Sequence, residues 1–199
     1  MDLVLSSNNL HKVKEYQEIL KEFKDINIVT LKDEGIEIDP KEDGLTFKDN
    51  SLIKALECQK YTDKIIISDD SGLIVDALPE ILGVHTSRFM DDRPYPERWD
   101  KVIELLEGKE RSAKFVCCIT VLNLTKEPLF FIGECLGSIS FKPEGSNGFG
   151  YDPIFIPKGY DKTFALLEEK EKNSISHRAL ASKQLVKYLR EHYESIVNK

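Results

Sequence analysis

The run Ile65-Ile66-Ile67-Ser68-Asp69-Asp70-Ser71-Gly72 constrains this chain more than any other segment. Three consecutive β-branched apolar residues without polar alternation read as a strand buried on both faces, the kind found in parallel sheets covered by helices on both sides. Two carboxylates follow where that strand is expected to end, and in open α/β sheets ligands bind at the carboxyl ends of strands. Adjacent like charges are unfavourable unless a cation neutralises them. Hard oxygen donors of this kind suit Mg2+, which is usually held by one or two carboxylates together with substrate phosphates. On its own the pair reads equally well as a turn, because aspartate is a common turn residue.

The flanking segments supply the other layers. Leu3-Val4-Leu5 reads as a short buried strand, and Ser6-Ser7-Asn8-Asn9 as a turn that caps a helix over 12–23, where Val13, Tyr16, Ile19, Leu20 and Phe23 recur at helical spacing. A second strand is expected over 26–31, then an acidic loop over 32–44, then a helix capped by Thr46 with Asp49 three residues on, reaching about Tyr61. Residues 79–96 read as loop with three prolines, 97–106 as a helix stopped near Gly108, and 113–122 and 129–140 as two long strands joined by a hairpin turn. A glycine-rich turn spans 145–150, and a closing amphipathic helix runs from Ser176 to about Tyr193. Strands alternating with helices, followed by a hairpin, predict an α/β fold: an elongated mixed β-sheet flanked by helices, two lobes around a central cleft, in a single domain over 1–199.

Composition narrows the function classes. A net charge of −7 on 199 residues argues against generic nucleic-acid or anionic-membrane binding. It leaves room for a small anionic substrate, since lysines and a divalent cation reverse the sign inside one cleft. No apolar run approaches the ~20 residues of a membrane span, and Met1-Asp2-Leu3-Val4-Leu5-Ser6 is too short and too acidic for a signal peptide. The expectation is a cytoplasmic chain with neither membrane nor nucleic acid as partner. Cys58, Cys117, Cys118 and Cys135 make no Cys-x-x-Cys pair, and neighbours on a strand point to opposite faces, so buried free thiols are expected.

Four further segments carry chemistry-bearing residues. Ser6-x-Asn8-x-x-x-Lys12 joins a strand, a polar turn and a helix start, a setting in which free N–H groups and the helix dipole favour phosphate. It lacks the P-loop pattern, and alone it reads as an ordinary capped helix. Glu42-Asp43-Gly44-Leu45-Thr46, with Lys54, offers another carboxylate and a lysine, and alone reads as a solvated loop and a surface cation. In Gly145-Ser146-Asn147-Gly148-Phe149-Gly150-Tyr151-Asp152-Pro153 the glycines mark a close backbone approach, and Phe149 and Tyr151 are candidates to face a planar base. Lys172 and Ser176-His177-Arg178 place cations at a helix start against the dipole, where an acceptor-rich partner would offset the cost.

Together, and in this order, these blocks resemble the inosine/xanthosine triphosphate pyrophosphatase family, over nearly the whole chain. The most specific blocks are Asp69-Asp70-Ser71-Gly72-Leu73 with Val75-Asp76-Ala77-Leu78, then Gly148-Phe149-Gly150-Tyr151-Asp152-Pro153, then Ser176-His177-Arg178. Three segments depart from the family's usual wording: Pro79-Glu80-Ile81-Leu82-Gly83, Thr86-Ser87-Arg88 and Ser146-Asn147. The resemblance implies hydrolysis of ITP, dITP and XTP to the monophosphate and pyrophosphate with Mg2+, clearing non-standard purine nucleotides from the pool, commonly as a homodimer. It implies that Ser6, Ser7, Asn8, Asn9 and Lys12 contact the phosphates. It makes Asp70 the proton acceptor and a metal ligand, Asp69 and Glu42 the neighbouring acidic positions at the metal, and Lys54 a phosphate-side lysine. Ser71, Phe149, Gly150, Tyr151, Asp152, Lys172, His177 and Arg178 fall on the substrate positions. Two rivals stand beside this reading: a related pyrophosphatase of different base preference, which His177 and Arg178 argue against, and a catalytically silent nucleotide-binding regulator, which Asp69, Asp70, Lys12 and Lys54 argue against.

Overall fold

The computed structural model describes residues 1–21 and 23–197. Strand β1 (Asp2–Leu5) leads into helix α1 (Leu10–Leu20), β2 (Asn27–Thr30), α2 (Phe47–Gln59) and the long β3 (Ile65–Val75). Helix α3 (Tyr95–Leu105), strands β4 (Ser112–Leu122), β5 (Leu129–Ile139) and β6 (Phe155–Pro157), and helices α4 (Glu169–Ile175) and α5 (His177–Val197) complete the chain. The six strands form one sheet in the order β2-β1-β3-β4-β5-β6. Strand β1 runs parallel to β2 and β3, whereas β6 runs antiparallel to β5, so the sheet is mixed.

Side-chain alternation decides what each strand residue meets. Leu3, Leu5 and Ile67 pack with Val13, Tyr16 and Leu20 of α1 and with Ala181, Leu185 and Leu189 of α5. Val4 and Ile66, one residue out of step, pack with Ala55 and Cys58 of α2. Helices α1 and α2 therefore cover opposite faces of the same strands. The start of α1 is fixed by Asn9, whose Oδ1 accepts the N–H groups of His11 at 2.9 Å and Lys12 at 3.4 Å. At α2 the expected capping box is complete: Thr46 Oγ1 accepts the Asp49 N–H at 3.1 Å and Asp49 Oδ2 accepts the Thr46 N–H at 3.0 Å.

Some elements differ from the sequence expectation. Strand β3 does not end at Ile67 but continues through both aspartates to Val75, because each polar side chain along it finds a partner; Ser68, for one, donates its hydroxyl to the Ser51 carbonyl. Helix α3 begins at Tyr95, since Pro96 falls in its first turn, where a missing N–H costs nothing. Strand β6 and helix α4 are too short to announce themselves by periodicity.

The chain forms two compact units. The first comprises 1–70, 117–132 and 181–199, and holds the cores around α1 and α2. The second comprises 71–116 and 133–180; its core gathers Leu73, Val75, Val102, Phe115, Ile139, Ile154, Phe155 and Phe164. All four cysteines are buried and free, as expected. Among the described residues no helix is long and apolar enough to cross a membrane.

Candidate active site

In the first unit, period-2 alternation splits the aspartate pair. Asp69 has the parity of Ile67 and faces α1, where Lys12 Nζ lies 2.9 Å from its Oδ1. Asp70 has the parity of Ser68 and faces α2, where Lys54 Nζ lies 3.3 Å from its Oδ1. Lys54 also reaches Glu42 Oε2 at 3.0 Å, so one ammonium bridges two carboxylates that come from different segments. Both lysine side chains keep only 14% of their surface exposed, far from the solvated cations that each segment alone would imply. Ser6 closes the arrangement: its N–H donates to the Ile67 carbonyl at 2.8 Å and its hydroxyl to the Lys54 carbonyl at 3.1 Å. Ser7 Oγ accepts the Asn9 N–H at 3.2 Å, while Asn8 and Asn9 are exposed.

Burial sets the electrostatics. Desolvation pushes the Asp70 carboxyl above its usual range, Glu42 adds to that, and Lys54, Lys12 and the nearby Asn50 amide pull against it. Lys54 is drawn down by its burial, but Asp70, Asp69 and Glu42 more than offset this and hold it above the ordinary lysine value. The lysine is thus firmly cationic, and the carboxylate is a stronger base than a solvated aspartate.

The fit of a divalent cation is testable on the donors present. Asp70 Oδ2 is buried, with the Asn50 amide close by. Among the described residues no group of three or more His, Cys, Asp or Glu is arranged to hold a metal. Glu42 and Asp70, both within reach of Lys54 Nζ, offer two carboxylates on one side of the unit, a number compatible with an ion that takes its remaining ligands from water and phosphate oxygens.

The second unit gathers the other candidates. Asp152 Oδ2 accepts the Phe149 N–H at 2.9 Å and a 2.5 Å ion pair from Lys172 Nζ. Gly148, at φ +75°, passes so close that an added Cβ would run into Asp152 Oδ2 and come within 3.1 Å of Lys172 Nζ. The turn therefore requires glycine on both conformational and steric grounds. Lys172 lies 5.2 Å from the Phe149 ring centre and Arg178 5.9 Å, and Arg178 Nη2 donates to Ser71 Oγ at 3.1 Å. Gly150 is fixed by Trp99, whose Nε1 donates to its carbonyl at 2.8 Å.

The expectation that Tyr151 offers its ring face to a base is corrected here. Tyr151 is 2% exposed, packs edge-on against Tyr95 and donates its hydroxyl to the Thr86 carbonyl at 3.3 Å, so it supports the turn from beneath. Burial pushes its pKa up to about 12. Thr86, in the segment that departs from the family's wording, accepts the Leu73 N–H at 2.9 Å, and Arg98 donates to the carbonyls of Ser87, Asp91 and Arg93. That loop is internally well anchored.

Three residues at these sites had no role at them assigned from sequence. Cys117 donates its thiol to Asp69 Oδ2 at 3.7 Å, Phe115 stacks on His177 at 4.8 Å and 14°, and Asn50 sits buried beside Asp70. The first two belong to β4, whose apolar run gave no sign of which strand it would lie beside. Asn50 carried one usable signal, since an uncharged amide inside a helix, Ser-flanked and inward, has to be matched to something.

A Ham1 family model matches residues 3–188. A dITP/XTP pyrophosphatase of Clostridium perfringens is 41% identical over 192 residues, covering 92% of this chain and 94% of that protein. A dITP/XTP pyrophosphatase of Treponema denticola is 41% identical over 196 residues, covering 96% and 99%. Among solved structures, a HAM1 protein from Coxiella burnetii superposes with a TM-score of 0.89 at 38% identity, covering 96% of this chain and 99% of that one. The Staphylococcus aureus Ham1 protein gives 0.87 at 34%, with the same coverage.

Proposed function

This chain belongs to the Ham1 family, and from that premise we propose that it hydrolyses dITP, XTP and ITP to the nucleoside monophosphate and pyrophosphate. The observation that carries the reading is Lys54, held between Glu42 and a buried Asp70. A basic carboxylate next to a fixed ammonium is what hydrolysis of a phosphoanhydride needs. Asp70 takes the proton of the attacking water. Lys54 and Lys12 offset the charge that builds on the departing pyrophosphate, and Asp69 holds Lys12 in place. Glu42 and Asp70 would hold Mg2+, which supplies charge neutralisation at the phosphate oxygens.

The base end is assigned to the second unit. Phe149 is half-buried and offers its ring, while Arg178 and His177 donate to the 6-oxo group that hypoxanthine and xanthine share. An adenine amine would meet those donors with hydrogens of the same sign, and sites that read polar groups this way discriminate by ~10⁴ or more. Homodimer formation and a cytoplasmic setting belong to the same reading. The test is pyrophosphate release from dITP, XTP, ITP and ATP, with Mg2+ and after chelation. The expected result is Mg2+-dependent release from the first three and little from ATP. Binding without release would support a silent regulator instead, and a preference for modified pyrimidines would support the other rival.

A further inference from the structure

Phe149 stands between two glycines in the left-handed region, Gly148 at φ +75° and Gly150 at φ +63°. Glycine leaves its backbone free to turn either way, so the ring between them faces one direction only if both flanks are held. The Gly148 flank is held by Asp152, which takes the Phe149 N–H at 2.9 Å and leaves no room for a side chain at 148. The Gly150 flank is not crowded: a Cβ there would stand 4.0 Å from the Tyr95 hydroxyl, an ordinary contact. A side chain from α3 holds it instead, as Trp99 Nε1 donates to the Gly150 carbonyl at 2.8 Å. That donor is itself fixed. Trp99 and Ile103 of the same helix pack against the core of the second unit, and the Trp99 ring lies 6.4 Å from that of Tyr95. Tyr95 in turn carries the Arg98 guanidinium 4.7 Å from its ring centre and meets Tyr151 edge-on at 5.6 Å.

We propose that Trp99 is a positioning residue for the base end of the substrate: by fixing the Gly150 carbonyl it fixes the direction in which the Phe149 ring faces a purine. The inference rests on the pyrophosphatase reading and on its placing of the base at this turn. An indole N–H taken out of water needs an acceptor, and here the acceptor belongs to the residue that follows the ring. The purine is unchanged when the α-phosphorus is attacked. Whatever grips it therefore grips the ground state and the transition state alike, and its loss raises KM while kcat stays in place. One neutral hydrogen bond corresponds to a factor of about 2 to 10 in an equilibrium, which sets the size of the effect.

The deciding variant is Trp99→Phe, which keeps an aromatic ring against the core and removes the donor. Its KM for dITP should rise about 3- to 10-fold, with kcat within about twofold of wild type. Ile103→Val, one turn further along α3 and against the same core, is the control. It should melt earlier and keep KM within about twofold. A second readout uses the wild-type chain and carries the test alone if Trp99→Phe does not fold. Trp99 is the one tryptophan of the sequence, so its indole N–H gives a single signal of that kind in a nitrogen–proton correlation spectrum. Inosine monophosphate should shift that signal, and ribose phosphate, which lacks the base, should leave it in place. A KM rise below about threefold in Trp99→Phe overturns the inference, as does a rise that tracks melting temperature across both variants. So does an indole signal that inosine monophosphate leaves unmoved or that ribose phosphate moves equally. Failure of the parent reading looks different. Wild-type chain that releases no pyrophosphate from dITP would refute the activity, and Phe149→Ala with an unchanged KM would refute the placing of the base. The inference alone fails when Phe149→Ala raises KM and Trp99→Phe does not.

Discussion

The fold that buries Asp70 disfavours its carboxylate form. Its proton leaves at a higher pH in the folded chain than in the unfolded one, because burial penalises the carboxylate and Glu42 repels it. Between the two values the unfolded chain has lost the proton and the folded chain has kept it. Stability therefore falls as the pH rises from 3.8 through the folded value. Asp70→Asn removes that penalty while Glu42 still holds Lys54, so the variant should melt at or above the wild-type temperature at neutral pH, and the gap should close as the pH drops below about 4. The same variant should lose roughly 100- to 10,000-fold in turnover. Paired melting curves and kcat values at several pH values check both halves; a variant that melts well below wild type at pH 7 would show Asp70 to be a structural ion-pair partner first. At this scale the sequence identified Asp69, Asp70, Glu42, Lys12 and Lys54 by their place in a family pattern. Their pairing was hidden, because which lysine meets which carboxylate depends on which sheet face each one leaves from.

Among the elements, α2 was the most legible from sequence and also carries the most chemistry. Thr46 and Asp49 announce its start three residues apart, and the box forms as expected. The cap also fixes the start of the helix from which Asn50 and Lys54 project. Thr46→Ala should cost ~1 kcal/mol, lowering the melting temperature by about 2–4 °C for a chain of this size, and should reduce kcat more than KM because Asn50 Oδ1, which takes the Gly44 N–H of the Glu42 loop at 2.8 Å, moves with the helix. A melt and a steady-state titration decide it; an unchanged kcat would separate the cap from the site. Strand β3 was the least legible element beyond its first three residues. A stretch of Ser, Asp, Asp, Ser and Gly has poor strand propensity, and only its partners on α1, α2 and β4 keep it extended to Val75.

For the whole molecule, the cysteines report on both units. Cys58, Cys117 and Cys118 lie in the first unit and Cys135 in the second, all buried. Burial raises the thiol pKa at Cys58 and Cys118, and at Cys135 to about 11, so none of these three is a ready thiolate. A thiol reagent at neutral pH should label none of them in the native chain. In a denaturant series all four should become reactive in one transition, since β3, β4 and β5 each contribute residues to both units. Mass spectrometry of labelled peptides reads this directly; Cys135 labelling at lower denaturant than the other three would mean that the second unit opens alone.

What the sequence determined by itself was local or ordered along the chain. It specified the buried strand at Ile65, the capping turn over 6–9, the cap at Thr46, the free thiols, and the succession of blocks that marks the family. Each depends on neighbours within a few residues or on the linear order of motifs, so no folding is needed to see it. The tertiary structure alone decided that Asp69 and Asp70 point to opposite faces, that Lys54 bridges Glu42 and Asp70, that Tyr151 is buried against Tyr95 and Thr86, and that Asn50 lies buried beside Asp70. Those facts depend on sheet order and on the parity of residues brought together from segments 12 to 107 positions apart, and no local pattern encodes such distances.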